Sequence, residues 1–237
     1  MVAARRRVLD SGVFAPLAEA VVAIVAAMAA HCTRDQTLRV IDAGCGEGYY
    51  LAGLFDAART WSCPGELSLA GFDISKYAVR AAARRCGAVA WAVASNRQPP
   101  FAAASIDIVL SLFGFPHWAA FERVLAPGGC VVLIDAGAAH LLELRACVYP
   151  QVKQHSPRPL HAAVARGWRV RHEQTLEYQI DLTTPAAIEA LFAMTPHAHR
   201  VTDRGRAALG ALDNLRTTVS SVLRVVESPI RVAAEAS

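Results

Sequence analysis

Five short apolar runs, most of them containing β-branched residues, recur through the first 135 residues and constrain the fold more than any other feature of this chain. They span residues 38–42, 67–73, 89–94, 106–112 and 130–135. Amphipathic stretches of helical length separate them, notably 75–86, in which Ser75 can cap the first turn. Strands that alternate with helices build a parallel sheet with helices on both faces. The pattern therefore predicts a doubly wound, Rossmann-like α/β fold.

Two later stretches, 168–182 and 217–226, alternate enough to supply further strands. We expect the sheet to be mostly parallel with an antiparallel last strand. A chain of 237 residues that is 54% hydrophobic can bury a substantial core. We predict an N-terminal helical segment over 1–34 and one α/β domain over 35–237, in which 137–170 forms an acceptor-site or lid insertion.

The charge and the cysteine content of the chain limit which binding partners and which cellular compartment can be predicted for it. The net charge of +4 is modest and does not by itself indicate a nucleic-acid partner. The six cysteines stand singly, without the spacing of a zinc site, so we predict no metal and a reduced, cytoplasmic setting. The apolar stretch 20–30 is too short to cross a bilayer, and it predicts a buried helix rather than a membrane anchor.

The first predicted strand runs into a glycine loop. Gly44, Gly46 and Gly48 let the backbone turn sharply and approach a ligand with no Cβ in the way, which would also suit a dinucleotide. Asp42 and Glu47 favour a different ligand, because carboxylates repel a pyrophosphate and suit a cation that bears an ammonium and a sulfonium.

The ends of the next two strands complete the predicted cofactor crevice. Asp73 ends the second strand, where a carboxylate can accept both hydroxyls of a ribose; the alternative is a turn acid beside Ser75. We expect Ile74 to cover an adenine ring face. Polar groups for the adenine edge follow the third strand, at Ala94, Ser95 and Asn96.

Tyr49, which opens the helix after the glycine loop, is the last candidate for this crevice. Together with its neighbour Tyr50, it contacts the amino-acid end of the cofactor or the lid, or else packs in the interior.

Several runs together resemble class I S-adenosylmethionine-dependent methyltransferases. These are Asp-x-Gly-Cys-Gly-Glu-Gly-Tyr-Tyr (42–50), Asp-Ile-Ser-Lys-x-Ala-Val (73–79), Val-Ala-Ser (93–95) and Ala-Pro-Gly-Gly (126–129). Segments 6–12, 16–17, 140–145, 148–149 and 194–196 are similar, more narrowly, to the RlmA family, which methylates a guanine ring nitrogen in large-subunit ribosomal RNA. The resemblance implies S-adenosylmethionine as cofactor, with S-adenosylhomocysteine as product.

The sequence departs from that family in two places. The family begins with a cysteine-based zinc ribbon that helps grip RNA, and here no cysteine precedes Cys32. The family also carries a Tyr-Ala-Pro-Cys-like segment after the fourth strand, next to the methyl acceptor. This chain has the aromatic run 113–118 there. We expect the acceptor pocket to be rebuilt with aromatic side chains.

Candidate acceptor residues come from that run and from the segment after the fifth strand. Phe113, Phe115 and Trp118 can stack on a flat heteroaromatic ring, or can plug the junction between helix and sheet. His117 is a candidate general base, with a solvated loop histidine as the alternative.

The second set of candidates recurs at a spacing of three to five residues, which places most of the set on one helix face near the carboxyl end of the sheet, where it can line the acceptor site. The alternative is an ordinary charged helix face. The set comprises His140, Glu143, Arg145 and Tyr149. The proline-rich segment 150–159, with His155 and Arg158, is either a lid or a surface connection.

Three functions follow. The first is methyl transfer to a ring nitrogen, or another nucleophile, of a guanine-like small molecule, and the aromatic loop favours it. The alternative is an RNA partner, with guanine-N1 methylation of ribosomal RNA in ribosome modification or antibiotic resistance. The family resemblance and the arginine-rich stretch 158–171 favour that function. The third function is that of a noncatalytic cofactor-binding protein. The chain is also a candidate homodimer.

Overall fold

A computed structural model describes residues 2–62, 65–152 and 156–229. It contains a seven-stranded sheet with the order β3-β2-β1-β4-β5-β7-β6, mostly parallel with antiparallel final strands. The strands are β1 (Thr37–Ala43), β2 (Glu66–Asp73), β3 (Ala90–Val93), β4 (Ile106–Leu112), β5 (Leu125–Ala136), β6 (Arg169–Leu182) and β7 (Leu215–Glu227). The predicted α/β class with its mixed sheet is confirmed.

Nine α-helices and one 3-10 helix connect the strands within the described residues. The α-helices are α1 (Val2–Asp10), α2 (Ala15–Ala29), α3 (Tyr49–Ala58), α4 (Lys76–Arg85), α5 (Trp118–Val124), α6 (Leu142–Val148), α7 (His161–Val164), α8 (Pro185–Met194) and α9 (Asp203–Gly210). The 3-10 helix spans Pro196–His199. No single described helix is long and apolar enough to cross a membrane. Among the described helices, only α1 and α2 counted together reach that length and composition.

The chain folds into two compact units. The first contains residues 1–17, 136–157 and 175–222, and the second contains residues 18–135, 158–174 and 223–237. The expected insertion 137–170 is therefore divided, since 137–157 belongs to the first unit and 158–170 to the second. The division into 1–34 and 35–237 stays a prediction.

Strand register in the second unit places the predicted loops at one edge of the sheet. β1 pairs in parallel with β2, with Ala43 opposite Phe72, and with β4, where Asp42 lies opposite Leu110. The carboxyl ends of parallel strands share an edge, which is where open α/β sheets bind ligands. The residues after β1, β2 and β4 therefore converge there.

The local sequence accounts for the start of α4 and for the face that it buries. The Ser75 hydroxyl caps it by accepting a hydrogen bond from the Ala78 amide at 3.3 Å, as predicted. The helix buries Ala78, Val79 and Ala82. Short apolar side chains on one face let a helix lie close to a sheet, and α4 packs against β2 and β3.

The fifth strand is longer than predicted, because it begins at Leu125 rather than at Cys130. The run Pro127-Gly128-Gly129 suggests a turn, yet the strand continues through it. Gly128 adopts a left-handed backbone with φ 80°, and the β4–β5 register shifts between Ile106 and Ile108. A glycine in that conformation accommodates an irregularity without ending the strand.

Candidate functional site

The glycine loop follows β1 directly and has the backbone that its sequence predicts. Gly44, Gly46 and Gly48 have φ angles of 85°, 57° and 79°, a left-handed region that favours glycine. The amides of Gly44 and Cys45 both donate to the carbonyl of Phe72, at 2.8 and 3.0 Å. The loop is thus fixed to the end of β2, and its remaining backbone is presented at the sheet edge.

Two of these glycines serve different purposes. A Cβ on Gly44 would meet no heavy atom within 4 Å, so this stretch of backbone faces open space that a ligand can enter. A Cβ on Gly48 would lie 2.6 Å from the Trp91 ring. Gly44 therefore fits a ligand cradle, whereas Gly48 is required by the packing of α3 and β3.

Asp73 lies at the end of β2 and supports the glycine loop. Its two carboxylate oxygens accept hydrogen bonds from the amides of Gly46, at 3.0 Å, and Ser75, at 2.8 Å. An ionised carboxylate offers about four acceptor sites, so two bonds leave capacity for ribose hydroxyls. Beside it, the Ile74 side chain is 78% exposed and is available to cover a ring face.

Glu47 forms an ion pair that was not predicted from the sequence. Its side chain is buried, and its carboxylate accepts a hydrogen bond from the Arg85 guanidinium at 3.0 Å. The same guanidinium lies 5.8 Å from the centroid of the Tyr49 ring. Part of the negative charge expected to face a ligand is therefore balanced inside the protein. Asp42, also buried, is the second acidic group at this end of β1.

The turn after β3 uses its polar groups for local contacts. The Ser95 hydroxyl accepts from the Arg97 amide at 3.2 Å, and the Ala94 amide donates to the Asp73 carbonyl at 3.1 Å. The Asn96 side-chain amide donates to the carbonyl of Phe115 at 3.0 Å. Asn96 is thus engaged with the loop after β4, and its predicted contact with adenine stays a prediction.

The aromatic loop after β4, residues 113–118, is held in a defined conformation. Phe113 has a left-handed φ of 56°, and its amide donates to the Ile134 carbonyl at 2.7 Å. The Phe115 side chain is 78% exposed. The guanidinium of Arg158 lies 4.5 Å from the centroid of that ring, and its Nη1 donates to the Gly114 carbonyl at 2.9 Å.

Arg158 is anchored in turn by a buried arginine. Arg224 donates from Nη1 to the Arg158 carbonyl at 3.0 Å and from Nε to Glu173 at 2.7 Å. Asp135, near the end of β5, lies 3.6 Å from Arg224 Nη1. Burial raises the pKa of the Asp135 carboxyl, while the guanidinium groups of Arg158 and Arg224 act in the opposite direction.

The other two candidates in the aromatic run have structural contacts. The Trp118 ring packs edge-on against the buried Trp168 with centroids 5.0 Å apart, next to the core, which favours a packing role. His117 is the N-cap of α5, where its Nδ1 accepts a hydrogen bond from the Ala120 amide at 3.3 Å. In a neutral ring the proton must then lie on Nε2, so accepting another proton would break the cap.

In the first unit, the helix predicted over the His140 group differs from expectation. α6 begins only at Leu142, so His140 lies outside it, and Tyr149 is its C-cap. Leu141, with φ 50°, turns the chain immediately before the helix. The expectation of one shared helix face was therefore wrong, because a left-handed residue separates His140 from the helix.

The polar groups of this segment bind other parts of the same unit. His140 Nδ1 lies 2.8 Å from the Ser220 carbonyl. Arg145 is buried, its Nη1 donates to the His140 carbonyl, and burial lowers its pKa. The Tyr149 hydroxyl lies 3.1 Å from Nδ1 of His197. These contacts stabilise the unit, and the predicted contacts of His140, Arg145 and Tyr149 with an acceptor stay predictions.

Within the first unit, Glu143 on α6 is hydrogen-bonded to β7. Burial of its carboxylate acts to raise the pKa, but hydrogen bonds from the Thr218 amide and from the hydroxyls of Thr218 and Thr217 outweigh that effect. The pKa of Glu143 is therefore below its ordinary value.

No cluster of three or more His, Cys, Asp or Glu side chains suited to a metal ion occurs in the described part of the chain.

In the segment 150–159, residues 153–155 lie outside the described residues. The prediction for His155 therefore also lies outside them.

Comparison with known proteins agrees with the geometry of the loop. A family model described as a methyltransferase domain matches residues 40–129, which include the glycine loop, Asp73 and the start of β5. The solved structure of the YcgJ protein from Bacillus subtilis superposes with a TM-score of 0.54 over 87% of this chain and 97% of that one, at 15% identity. That likeness shows the fold. Fold and site together define a class I S-adenosylmethionine-dependent methyltransferase.

Two curated relatives narrow the family. A Bacillus subtilis protein, YxjB, provisionally named as a 23S rRNA (guanine-N1) methyltransferase, is 31% identical over 82% of this chain and 68% of its own length. The 23S rRNA (guanine(748)-N1) methyltransferase of Streptomyces fradiae is 28% identical over 97% of this chain and 80% of its own. The chain belongs to the RlmA-like family of methyltransferases.

The residues at the sheet edge fit the cofactor of this class. S-adenosylmethionine supplies a methyl group on a positively charged sulfonium. The open backbone at Gly44 admits a ligand, and the buried carboxylate of Asp42 suits its cationic groups, as does the part of the Glu47 charge that Arg85 does not balance. Asp73 has acceptor capacity for a ribose.

Proposed function

We propose that this protein methylates N1 of a guanine in 23S ribosomal RNA. The observation that carries the proposal is its similarity, over 82% and 97% of its length, to relatives named for that reaction. The similarity includes segments outside the cofactor crevice, which the general methyltransferase fold does not require.

Methylation at N1 joins that nitrogen to the methyl carbon as the carbon–sulfur bond breaks, and the N1 proton is released to solvent. S-adenosylhomocysteine is the second product. The protein contributes mainly by holding N1 in line with the sulfonium and by excluding water. In this proposal Asp42, Glu47 and Asp73 fix the cofactor, and Phe115 holds the base. The capping role of His117 argues against assigning it the proton.

The exposed face of α4 supports an RNA partner. Lys76, Arg80 and Arg84 recur every four residues, so they lie along one side of the helix, and all three are exposed. The helix contains no acidic residue. It begins three residues after Asp73, at the ribose end of the crevice. A row of cations there suits the phosphates of an RNA strand.

A small heteroaromatic compound is the second candidate for the methyl acceptor. The exposed ring of Phe115 favours such a compound as much as it favours a guanine in RNA. A stacking face accepts any flat ring, whether it belongs to a nucleotide in a chain or to a free compound.

The deciding experiment offers both classes of acceptor to the purified protein. Methyl-labelled S-adenosylmethionine is supplied with deproteinised 23S rRNA, with intact large subunits, or with purine- and pteridine-like compounds. We expect label in RNA, at a position where N1 methylation stops reverse transcriptase. Label in a small compound, with unlabelled RNA in both forms, would overturn the proposal.

A further inference from the structure

Phe115 is an exposed aromatic ring whose position is nevertheless fixed. Its side chain is 78% exposed, although it lies in a loop at the ligand edge of the sheet. Its carbonyl accepts from Asn96, and the preceding carbonyl, of Gly114, accepts from Arg158. A loop held at two successive carbonyls keeps its side chain in place before any ligand arrives.

One face of the Phe115 ring is already occupied. The guanidinium of Arg158 lies 4.5 Å from the ring centroid, within the distance of a cation–π contact. The same guanidinium bonds Gly114, so a single planar group fixes both the backbone and the ring. Arginine suits this double task because its donors lie in the plane of a group that also stacks.

Arg158 is itself positioned by buried charge. Its carbonyl is held by Arg224, which is only 9% exposed and is bonded to Glu173. The guanidinium therefore extends from a fixed backbone, so little conformational entropy remains to be lost when an acceptor binds.

We propose that Arg158 is a positioning residue for the methyl acceptor: it holds Phe115 as a prebuilt stacking face for a flat heteroaromatic ring. The inference rests on the proposed function only for the identity of that ring, which is then guanine. Base–aromatic stacking is tolerant of sequence and of the rest of the ligand, so Arg158 acts in the same way for a free heteroaromatic compound.

Phe115 provides the first test. Phe115→Leu keeps an apolar side chain but removes the aromatic face, and we expect it to raise KM for the acceptor about ten-fold with kcat within two-fold. Phe115→Trp restores a stacking face and should return KM to near the wild-type value.

Arg158 is tested through the same constants. Arg158→Met keeps the length of the side chain but loses the charge and the donors, and should raise the acceptor KM about three- to ten-fold. The affinity for S-adenosylmethionine, measured by calorimetry, should not change. Arg158→Lys should recover part of the loss. Arg216→Ala, which removes an exposed arginine paired with Asp181, is the matched control and should leave both constants unchanged.

The double variant separates positioning from general damage. If Arg158 acts through Phe115, adding Arg158→Met to Phe115→Leu should not raise KM further. Additive effects, an unchanged KM in Arg158→Met, or a loss confined to kcat would each overturn the inference. If Arg158→Met lowers the melting temperature, Arg158→Lys replaces it as the partner of Phe115→Leu in the double variant. Lysine keeps the positive charge and the aliphatic stem of the side chain.

The acceptor for these assays is whichever compound the wild-type protein methylates. If that is a small heteroaromatic molecule, the proposed RNA function fails while the Arg158 inference is still measured. If RNA is methylated and Arg158→Met matches wild type, the inference fails and the proposed function stands.

Discussion

The side-chain amide of Asn96 donates to the backbone carbonyl of Phe115 over 3.0 Å, so the turn after β3 is bonded to the loop after β4. The first of these segments was predicted to contact the adenine of the cofactor and the second to contact the acceptor. This hydrogen bond therefore links the two predicted subsites within one unit. Changes in the cofactor turn are expected to be transmitted to the position of Phe115.

Asp73→Ala should weaken the binding of S-adenosylmethionine by roughly ten-fold or more, because it removes a charged acceptor of ribose hydroxyls. Isothermal titration calorimetry measures this directly. Asp107→Asn is the control, since Asp107 also accepts a backbone hydrogen bond, from Arg39 at 2.7 Å, at the opposite end of β4. Unchanged affinity in a folded Asp73→Ala protein would remove Asp73 from the ribose role.

Gly48→Ala should destabilise the protein more than Gly44→Ala. A left-handed alanine costs about 1–2 kcal/mol at either position. At Gly48 the new Cβ also collides with Trp91, at 2.6 Å, which adds roughly 1–3 kcal/mol. Thermal unfolding should rank the two variants in that order. Equal melting temperatures would show that Trp91 moves aside without cost.

His117→Ala should lower stability by about 1 kcal/mol through loss of the α5 cap, whereas His117→Asn should restore it, because asparagine caps helices well. Denaturant unfolding and steady-state kinetics are measured on both variants. Because a loss of this size leaves the protein folded, we expect the kcat of both variants to stay near the wild-type value. A His117→Asn protein with wild-type stability but a kcat reduced a hundred-fold would instead support the general-base prediction for His117.

Glu143→Gln should reduce stability near neutral pH and have less effect in acid. The pKa of Glu143 is lowered in the folded state, so its stabilisation is present above the ordinary carboxyl pKa and is lost as pH falls through the folded value. Urea unfolding from pH 7 to pH 3.5 should show the two curves converging. Glu189→Gln, at an exposed site on α8, is the control. A pH-independent difference would contradict the charge-based account.

Replacing Lys76, Arg80 and Arg84 together with Gln should weaken RNA binding and reduce its dependence on salt. Each lost phosphate contact lowers the slope of log affinity against log salt by about 0.7–0.9. Filter binding at several salt concentrations measures the slope. Arg59→Gln and Arg216→Gln change exposed arginines elsewhere and should have little effect. If the triple variant keeps the wild-type slope, α4 does not contact the RNA backbone.

The sequence by itself determined the α/β class, the approximate positions of the first five strands and the glycine loop. These depend on local patterns: β-branched runs, the Ser75 cap and glycines followed by a short helix. The predicted fourth strand coincides with the observed Ile106–Leu112, because a short, mostly apolar run rich in Ile and Val favours a strand. Strand β5 was underestimated, since a Pro-Gly-Gly run looks like a turn when only the local sequence is considered.

Only the tertiary structure decided how individual side chains are used. Glu47 and Arg85 are 38 residues apart in sequence, Asn96 and Phe115 are 19 apart, and Arg158 and Gly114 are 44 apart. A polar side chain binds whichever partner the fold brings within about 3 Å, and spacing along the chain does not encode that choice. The strands and the glycine loop, which can be recognised in the sequence, were therefore enough to predict where the crevice lies. Tertiary packing determined which side chains remain available to a ligand there.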